Sequence, residues 1–156
     1  MLSISIYSVA TSRQSFILEG ETEYLERLGR FTKTKLIELR SHEKNCSDVE
    51  SAKTRETKEL LEKVPQNGYL ITLDQRGRLL SSEELAGFLQ ARMNQGASQL
   101  HFAIGGSFGW GASVLERANF VWSLSPLTFT AQFARLILLE QLYRAGTILN
   151  GQSYHK

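Results

Sequence analysis

Four glycines fall in seven positions in Gly105-Gly106-Ser107-Phe108-Gly109-Trp110-Gly111, directly after an apolar run that ends at Ile104. Backbone without Cβ can approach a ligand closely or take positive φ, so this turn is the first place to look for a small-molecule site. It is not a P-loop, because no Gly-Lys-Ser/Thr follows. It does not suit a dinucleotide either: the spacing is not Gly-x-Gly-x-x-Gly, and the next apolar run ends in Ser123-Leu124-Ser125 with no carboxylate for a ribose. Another nucleoside ligand fits better. Leu124-Ser125-Pro126-Leu127-Thr128-Phe129 is the second candidate, since Pro126 restrains Ser125 to extended geometry and Ser and Thr compete for backbone bonds. Such a stretch offers backbone donors and acceptors beside apolar walls, as an adenine requires, although taken alone it reads more simply as a connecting loop. The third group is Arg135, Arg144 and the tail Tyr154-His155-Lys156, where a titratable imidazole beside an aromatic ring and a cation could serve as a base or an RNA contact. His42 and His101 have no partner in sequence and are read as structural.

A chain of 156 residues, 42% apolar and 22% charged, is long enough for one core and short for two. The apolar run Leu136 to Leu139 is closed by Arg135 and Glu140, far below the roughly 20 residues a bilayer span needs. Met1 to Ala10 alternates apolar residues with Ser and lacks a basic leader, so it reads as a strand and not as a signal peptide, and a cytoplasmic location is expected. Cys46 is the only cysteine, which rules out an internal disulfide, and no metal is expected. The net charge of +2 argues against coating nucleic acid by bulk electrostatics. From residue 103 onward, however, Arg117, Arg135, Arg144 and Lys156 face only Glu116 and Glu140, so the excess lies in the last third.

These residues need a frame. Leu2 to Val9 approaches a period of two, with Thr11-Ser12 as punctuation. Phe16 to Leu28 has helical spacing, with Gly29 where a C-cap glycine belongs. Thr34 to Leu39 reads as a strand, and Val49 to Val64 as a charge-laced helix stopped by Pro65 and Asn67-Gly68. Tyr69 to Leu73 is a compact strand followed by a turn over Asp74 to Arg78. Ser81-Ser82-Glu83-Glu84 has capping-box spacing for a helix to about Gln95 with Leu85, Phe88 and Leu89 buried. Leu100 to Ile104 is a strand, Val114 to Ala118 a short helix, Phe120 to Trp122 a short strand, and Ala131 to Ala145 a long helix apolar enough to face both the sheet and a second subunit. Strands alternating with helices predict an α/β fold: a mostly parallel sheet with helices on both faces. In such sheets ligands bind at the carboxyl edge, which singles out the loops Leu73 to Arg78, Gly105 to Gly111 and Leu124 to Thr130.

Taken together, Ile71-Thr72-Leu73-Asp74, Ile104-Gly105-Gly106-Ser107-x-Gly109, Leu124-Ser125-x-Leu127-Thr128-Phe129 and Gln141-Leu142-Tyr143-Arg144-Ala145, closing on Tyr154-His155-Lys156, resemble one family. It is the SPOUT-class RNA methyltransferases, and within them the RlmH type, which act on N3 of a pseudouridine in large-subunit ribosomal RNA. The resemblance covers essentially the whole length, including Ser3 to Ala10 and Glu23-Tyr24-Leu25 with Arg27-Leu28. It implies residues 1–156 as one domain with a C-terminal trefoil knot, an exception to the rule that chains do not knot. It also implies a homodimer, S-adenosyl-L-methionine as cofactor and a stem-loop of ribosomal RNA as substrate. By motif the cofactor contacts would be Leu73, Gly105, Leu124, Ser125, Pro126, Leu127, Thr128 and Phe129. His155 would be the base or base-orienting group, Tyr154 would stack on the target and Arg135 would hold a phosphate or the developing imide anion.

One departure stands out. After Thr128-Phe129 the family usually continues Pro-His-Gln, whereas this chain has Thr130-Ala131-Gln132. A second reading is therefore a ribosome-associated RNA-binding module of the same fold with weak or lost chemistry. A nucleotide-binding oxidoreductase is remote, for want of the ribose carboxylate.

Overall fold

The structure, a computed structural model, describes residues 1–10 and 13–156; the expected punctuation at Thr11-Ser12 lies outside the described residues. Five strands, β1 (Leu2–Ala10), β2 (Thr32–Arg40), β3 (Tyr69–Leu79), β4 (Gln99–Ile104) and β5 (Phe120–Ser123), form one sheet in the order β2-β1-β4-β3-β5. Every pairing is parallel. The helices are α1 (Ser15–Leu28), α2 (Val49–Lys63), α3 (Ser82–Asn94), α4 (Ala112–Arg117) and α5 (Ala131–Leu149), with a short 3₁₀ turn at Glu43–Asn45.

The two-residue period of the strands sorts their side chains into two cores. Leu2, Ile4, Ile6, Ile71, Leu100, Phe102 and Ile104 pack with Leu28 of α1, Leu85 and Leu89 of α3, and Leu138, Leu139 and Leu142 of α5. On the other face Tyr7, Val9, Leu70 and Ala103 pack with Leu60 of α2, Val114 of α4 and Trp110. The expected helix-covered parallel sheet is thus present, and both faces of its central strands are dry. Among the described residues no helix is long and apolar enough to cross a membrane.

Local signals act as expected at several helix starts. At α3, Ser81 Oγ accepts from the Glu84 amide at 3.1 Å while Glu84 Oε2 accepts from the Ser81 amide at 2.7 Å, so the capping box is closed. Asp48 caps α2 through the Ser51 amide at 2.8 Å, and Thr130 caps α5 through the Phe133 amide at 3.4 Å. Gly29 ends α1 differently from expectation: its φ is −54°, and its amide simply continues bonding to Leu25 and Glu26. Two elements outrun the sequence pattern. α5 continues past Ala145 to Leu149, because Gly146 lets the helix lie against Phe31; a Cβ there would sit 2.5 Å from the ring. β3 resumes after the expected turn: its pairing with β5 jumps from Leu73 to Arg78, both opposite Trp122, leaving Asp74 to Gly77 looped out at the sheet edge. Gly77 makes that return possible, since a Cβ would lie 2.7 Å from the Val121 and Trp122 backbone.

Candidate functional site at the carboxyl edge of the sheet

The first run of β3, ending at Leu73, and the carboxyl ends of β4 and β5 each lead into one of the three suspected loops, and parallel pairing puts those ends side by side. Between them lies a cavity of about 760 Å³. Leu73, Gly105, Leu124, Ser125, Leu127, Thr128 and Phe129 all line it, and Ala131 and Ala134 of α5 close one wall. Of the expected cofactor contacts only Pro126 is not on the lining.

The glycine loop is folded back on itself. Gly106 and Gly109 pair in an antiparallel bridge, and Gly109 takes φ of +71°. A Cβ at Gly105 would lie 3.0 Å from the Gly109 backbone, so a side chain there would crowd the loop where it turns over the cavity. The loop is also gripped from behind by residues that sequence reasoning missed. Thr57 Oγ1 accepts from the Gly111 amide at 2.9 Å, and Ser107 Oγ donates to Glu43 at 3.2 Å. The buried Glu56 carboxylate accepts from the His42 amide at 2.9 Å, and its other oxygen lies against Gly106. Desolvation pushes the Glu56 pKa above the usual carboxylate value, against the lowering pull of the His42 amide. No sequence signal marks these contacts: in sequence Glu56 and Thr57 belong to a helix that reads as a solvated charge run.

The other two loops are tied together by Gln75 Nε2, which donates to Thr128 Oγ1 at 2.6 Å. Ser125 Oγ accepts from the Leu127 amide at 3.0 Å and Ser123 Oγ donates to the Ser125 carbonyl at 3.0 Å, so the Ser-rich turn holds its own shape. At the rim, Arg76 forks onto Asp74 with Nε at 2.8 Å and Nη2 at 2.9 Å, which holds the Asp74 carboxyl below its ordinary pKa.

The expected catalytic residues are not at this cavity. The tail is docked along the opposite end of α5. His155 Nε2 lies 2.8 Å from Glu83 Oε1 and Nδ1 lies 3.4 Å from Arg144, an arrangement satisfied by the neutral tautomer with its proton on Nε2. Glu83 is pulled down to about 2, first by the backbone amide at the start of α3 and then by His155. Tyr154 Oη donates to Glu140 at 3.1 Å and meets Tyr24 Oη at 3.3 Å; desolvation first, then Tyr24, raises its pKa. The Tyr154 ring packs edge-on against Tyr143 and carries the Arg144 guanidinium 4.7 Å above it. From Ala131 at the cavity to Arg144 beside the tail is thirteen residues of helix, roughly 20 Å. One protomer therefore does not bring His155 and Tyr154 to its own cavity.

Arg135 corrects the sequence expectation most sharply. It is 1% exposed and cannot hold a substrate phosphate in this conformation; Nε donates to Glu21 at 2.5 Å and Nη1 to Ser8 Oγ at 2.7 Å. The other two arginines of the C-terminal basic excess are likewise engaged within the protein. Arg117 caps the carbonyls of Pro65, Gln66 and Gly68, and Arg144 pairs with Glu140 at 2.6 Å. His101 is structural, as expected: it is buried beside Tyr7, with Tyr7 Oη 3.3 Å from Nδ1.

Comparison with known proteins gives this geometry a context. The sequence model of the family described as "Predicted SPOUT methyltransferase" matches residues 2–155. The chain is 41% identical to the ribosomal RNA large subunit methyltransferase H of Geobacter metallireducens over 154 residues, covering 99% of each. It is 37% identical to the protein of the same name from Syntrophotalea carbinolica, again over 99% of both, and 40% identical to that of Halothermothrix orenii over 99% of this chain and 100% of the relative. In structure it is similar to a probable methylase family protein from Haemophilus influenzae, with TM-score 0.57 at 15% identity over 98% of this chain and 70% of that one. It is also similar to a putative methyltransferase from Legionella pneumophila solved with bound SAM, with TM-score 0.52 at 11% identity over 92% of this chain and 66% of the other.

Proposed function

The chain belongs to the SPOUT methyltransferases, and on that premise we propose that it is an enzyme that methylates N3 of a pseudouridine in a stem-loop of large-subunit ribosomal RNA, using S-adenosylmethionine. The observation that carries the reading is the cavity of about 760 Å³ where the three carboxyl-edge loops converge. Its apolar walls from Leu73, Leu124, Phe129 and Ala131, the side-chain-free turn at Gly105, and the backbone of Leu124 to Phe129 fit an adenosyl group in size and chemistry. Ribosomal RNA as substrate is supported by the name shared by three relatives matched over nearly their full length.

S-adenosylmethionine supplies a sulfonium methyl that is already electrophilic, so the protein's task is alignment and removal of the N3 proton. Leu73, Gly105 and Leu124, Ser125, Pro126, Leu127, Thr128 and Phe129 hold the cofactor in this reading. Arg76, fixed at the rim by Asp74, meets the RNA backbone. His155 accepts or directs the proton and Tyr154 stacks on the target base. Both ring nitrogens of His155 are engaged in the docked tail, so base action by the unprotonated Nδ1 requires its release from Arg144.

We read the active form as a homodimer in which the tail of one protomer serves the cavity of the other. The roughly 20 Å between a protomer's own tail and cavity supports this, as do Phe16 and Phe133, a large exposed aromatic pair on α1 and α5. Residues 1–156 form one domain in this reading, located in the cytoplasm. Its C-terminal segment is threaded as a trefoil knot in this reading, a feature supported by family membership.

The test uses assembled ribosomes and cofactor labelled in the methyl group. Label should appear on a pseudouridine of large-subunit RNA, and His155→Ala should bind the cofactor normally while transferring roughly 10²- to 10⁴-fold more slowly. Undiminished transfer would remove His155 from the mechanism. The second reading, a binding module without chemistry, is favoured by one observation: Ala131 stands in the cavity wall where the resembling family has a histidine. A wild-type protein that binds cofactor and ribosomes without transferring label would establish it.

A further inference from the structure

Arg135, Glu21 and Ser8 are 1%, 4% and 1% exposed, and together they form a charged cluster inside the core. A buried Arg–Glu pair is on balance no better for stability than apolar side chains of similar size, because desolving two ions offsets most of their attraction. This pair is not even complete, since Arg135 Nη2 is buried without an acceptor among the described residues. What the fork does supply is geometry. Two donors of one rigid guanidinium grip α1 through Glu21 and β1 through Ser8, from the first turns of α5.

The Ser8 end of the fork and the helix that carries it both adjoin the cavity. Ser8 is the register partner of Ile104, which lines the cavity and leads directly into Gly105. Ala131 and Ala134, one turn and one residue before Arg135, form the facing wall. An apolar contact would tolerate sliding of α5 along the sheet; a two-point charged fork does not.

We infer that Arg135, with Glu21 and Ser8, is a positioning residue that sets the spacing between the α5 wall and the Gly105 wall of the cavity, and so tunes cofactor affinity without touching cofactor. The inference rests on the reading of this cavity as the S-adenosylmethionine site. Two variants test it, with calorimetric affinity for S-adenosylmethionine and melting temperature as readouts. Glu21→Met/Arg135→Met removes both charges together and leaves none orphaned. It should melt close to wild type and bind cofactor roughly 10-fold or more weakly, with the turnover rate at saturating cofactor retained. Arg135→Lys keeps a charge for Glu21 but cannot span to Ser8, and should weaken cofactor in the same direction. Wild-type affinity in either folded variant overturns the inference, and failure of both to fold shows a role in folding and overturns it too. If wild-type protein itself does not bind S-adenosylmethionine, the reading of the cavity fails, an outcome seen before any variant is made.

Discussion

The His101 imidazole lies in the core 3.3 Å from Tyr7 Oη, and desolvation first, then the positive Arg117, holds its pKa below the ordinary histidine value. The unfolded chain takes up a proton as pH falls through about 6.5, whereas the folded chain resists until a lower pH. In that window the unfolded state binds more protons, so stability is unaffected above about pH 6.5 and is lost as pH falls below it. Glu56, with its raised pKa, works in the opposite sense above about 4.5, so the histidine effect is read as a difference. Urea midpoints at about pH 7.5 and about pH 5.5 should drop more for wild type than for His101→Gln; equal drops would show that His101 carries none of the acid sensitivity. The structural reading of His101 was legible in the sequence because no partner group stands near it there. Arg135 was misread for the converse reason: a charge next to a suspected loop looks like a ligand contact until Glu21, more than a hundred residues away, is known to meet it.

Among the elements, β3 holds the site together by breaking its own register. The looped-out Asp74 to Gly77 contributes Asp74, Gln75 and Arg76 to the cavity, and the strand regains β5 at Arg78 only because Gly77 passes so close to the Val121 and Trp122 backbone. A methyl at that point meets backbone that cannot rotate away. Gly77→Ala should therefore cost about 1–3 kcal/mol, the usual cost of overpacking, and weaken cofactor binding as the loop is displaced. Equilibrium unfolding in denaturant measures the first and calorimetry the second; an unchanged midpoint would mean that the sheet edge yields more easily than the spacing implies. The turn itself was legible from Gly77, but the strand's return was not, because it depends on pairing with a segment more than forty residues later. By contrast the capping box of α3 was fully legible, since all its partners lie within four residues.

For the whole molecule, the distance between tail and cavity makes catalysis a question of assembly. If the tail acts across a dimer, a protomer with a distorted glycine loop and one without its imidazole should rescue each other. Gly105→Val, which drives side-chain atoms into the Gly109 backbone, should be inactive alone, as should His155→Ala. Refolded together in equal amounts they should regain about one quarter of wild-type activity, because half the dimers are mixed and each mixed dimer has one complete site. No recovery in mixed dimers would place the tail with its own protomer. At this scale the sequence by itself determined the helix-covered parallel sheet, the three loops and the dry strands, because period, capping and glycine placement are local signals that a parallel α/β sheet turns into a ligand edge. Only the tertiary structure decided which partner each charge takes. Arg117, Arg135 and Arg144 are spent on carbonyls, Glu21 and Glu140, while Arg76 stands at the cavity rim forked onto Asp74. It also placed Glu56 and Thr57 behind the glycine loop. Those outcomes depend on partners far apart in sequence, and a side chain's charge has no fixed role until burial and its neighbours set the dielectric around it.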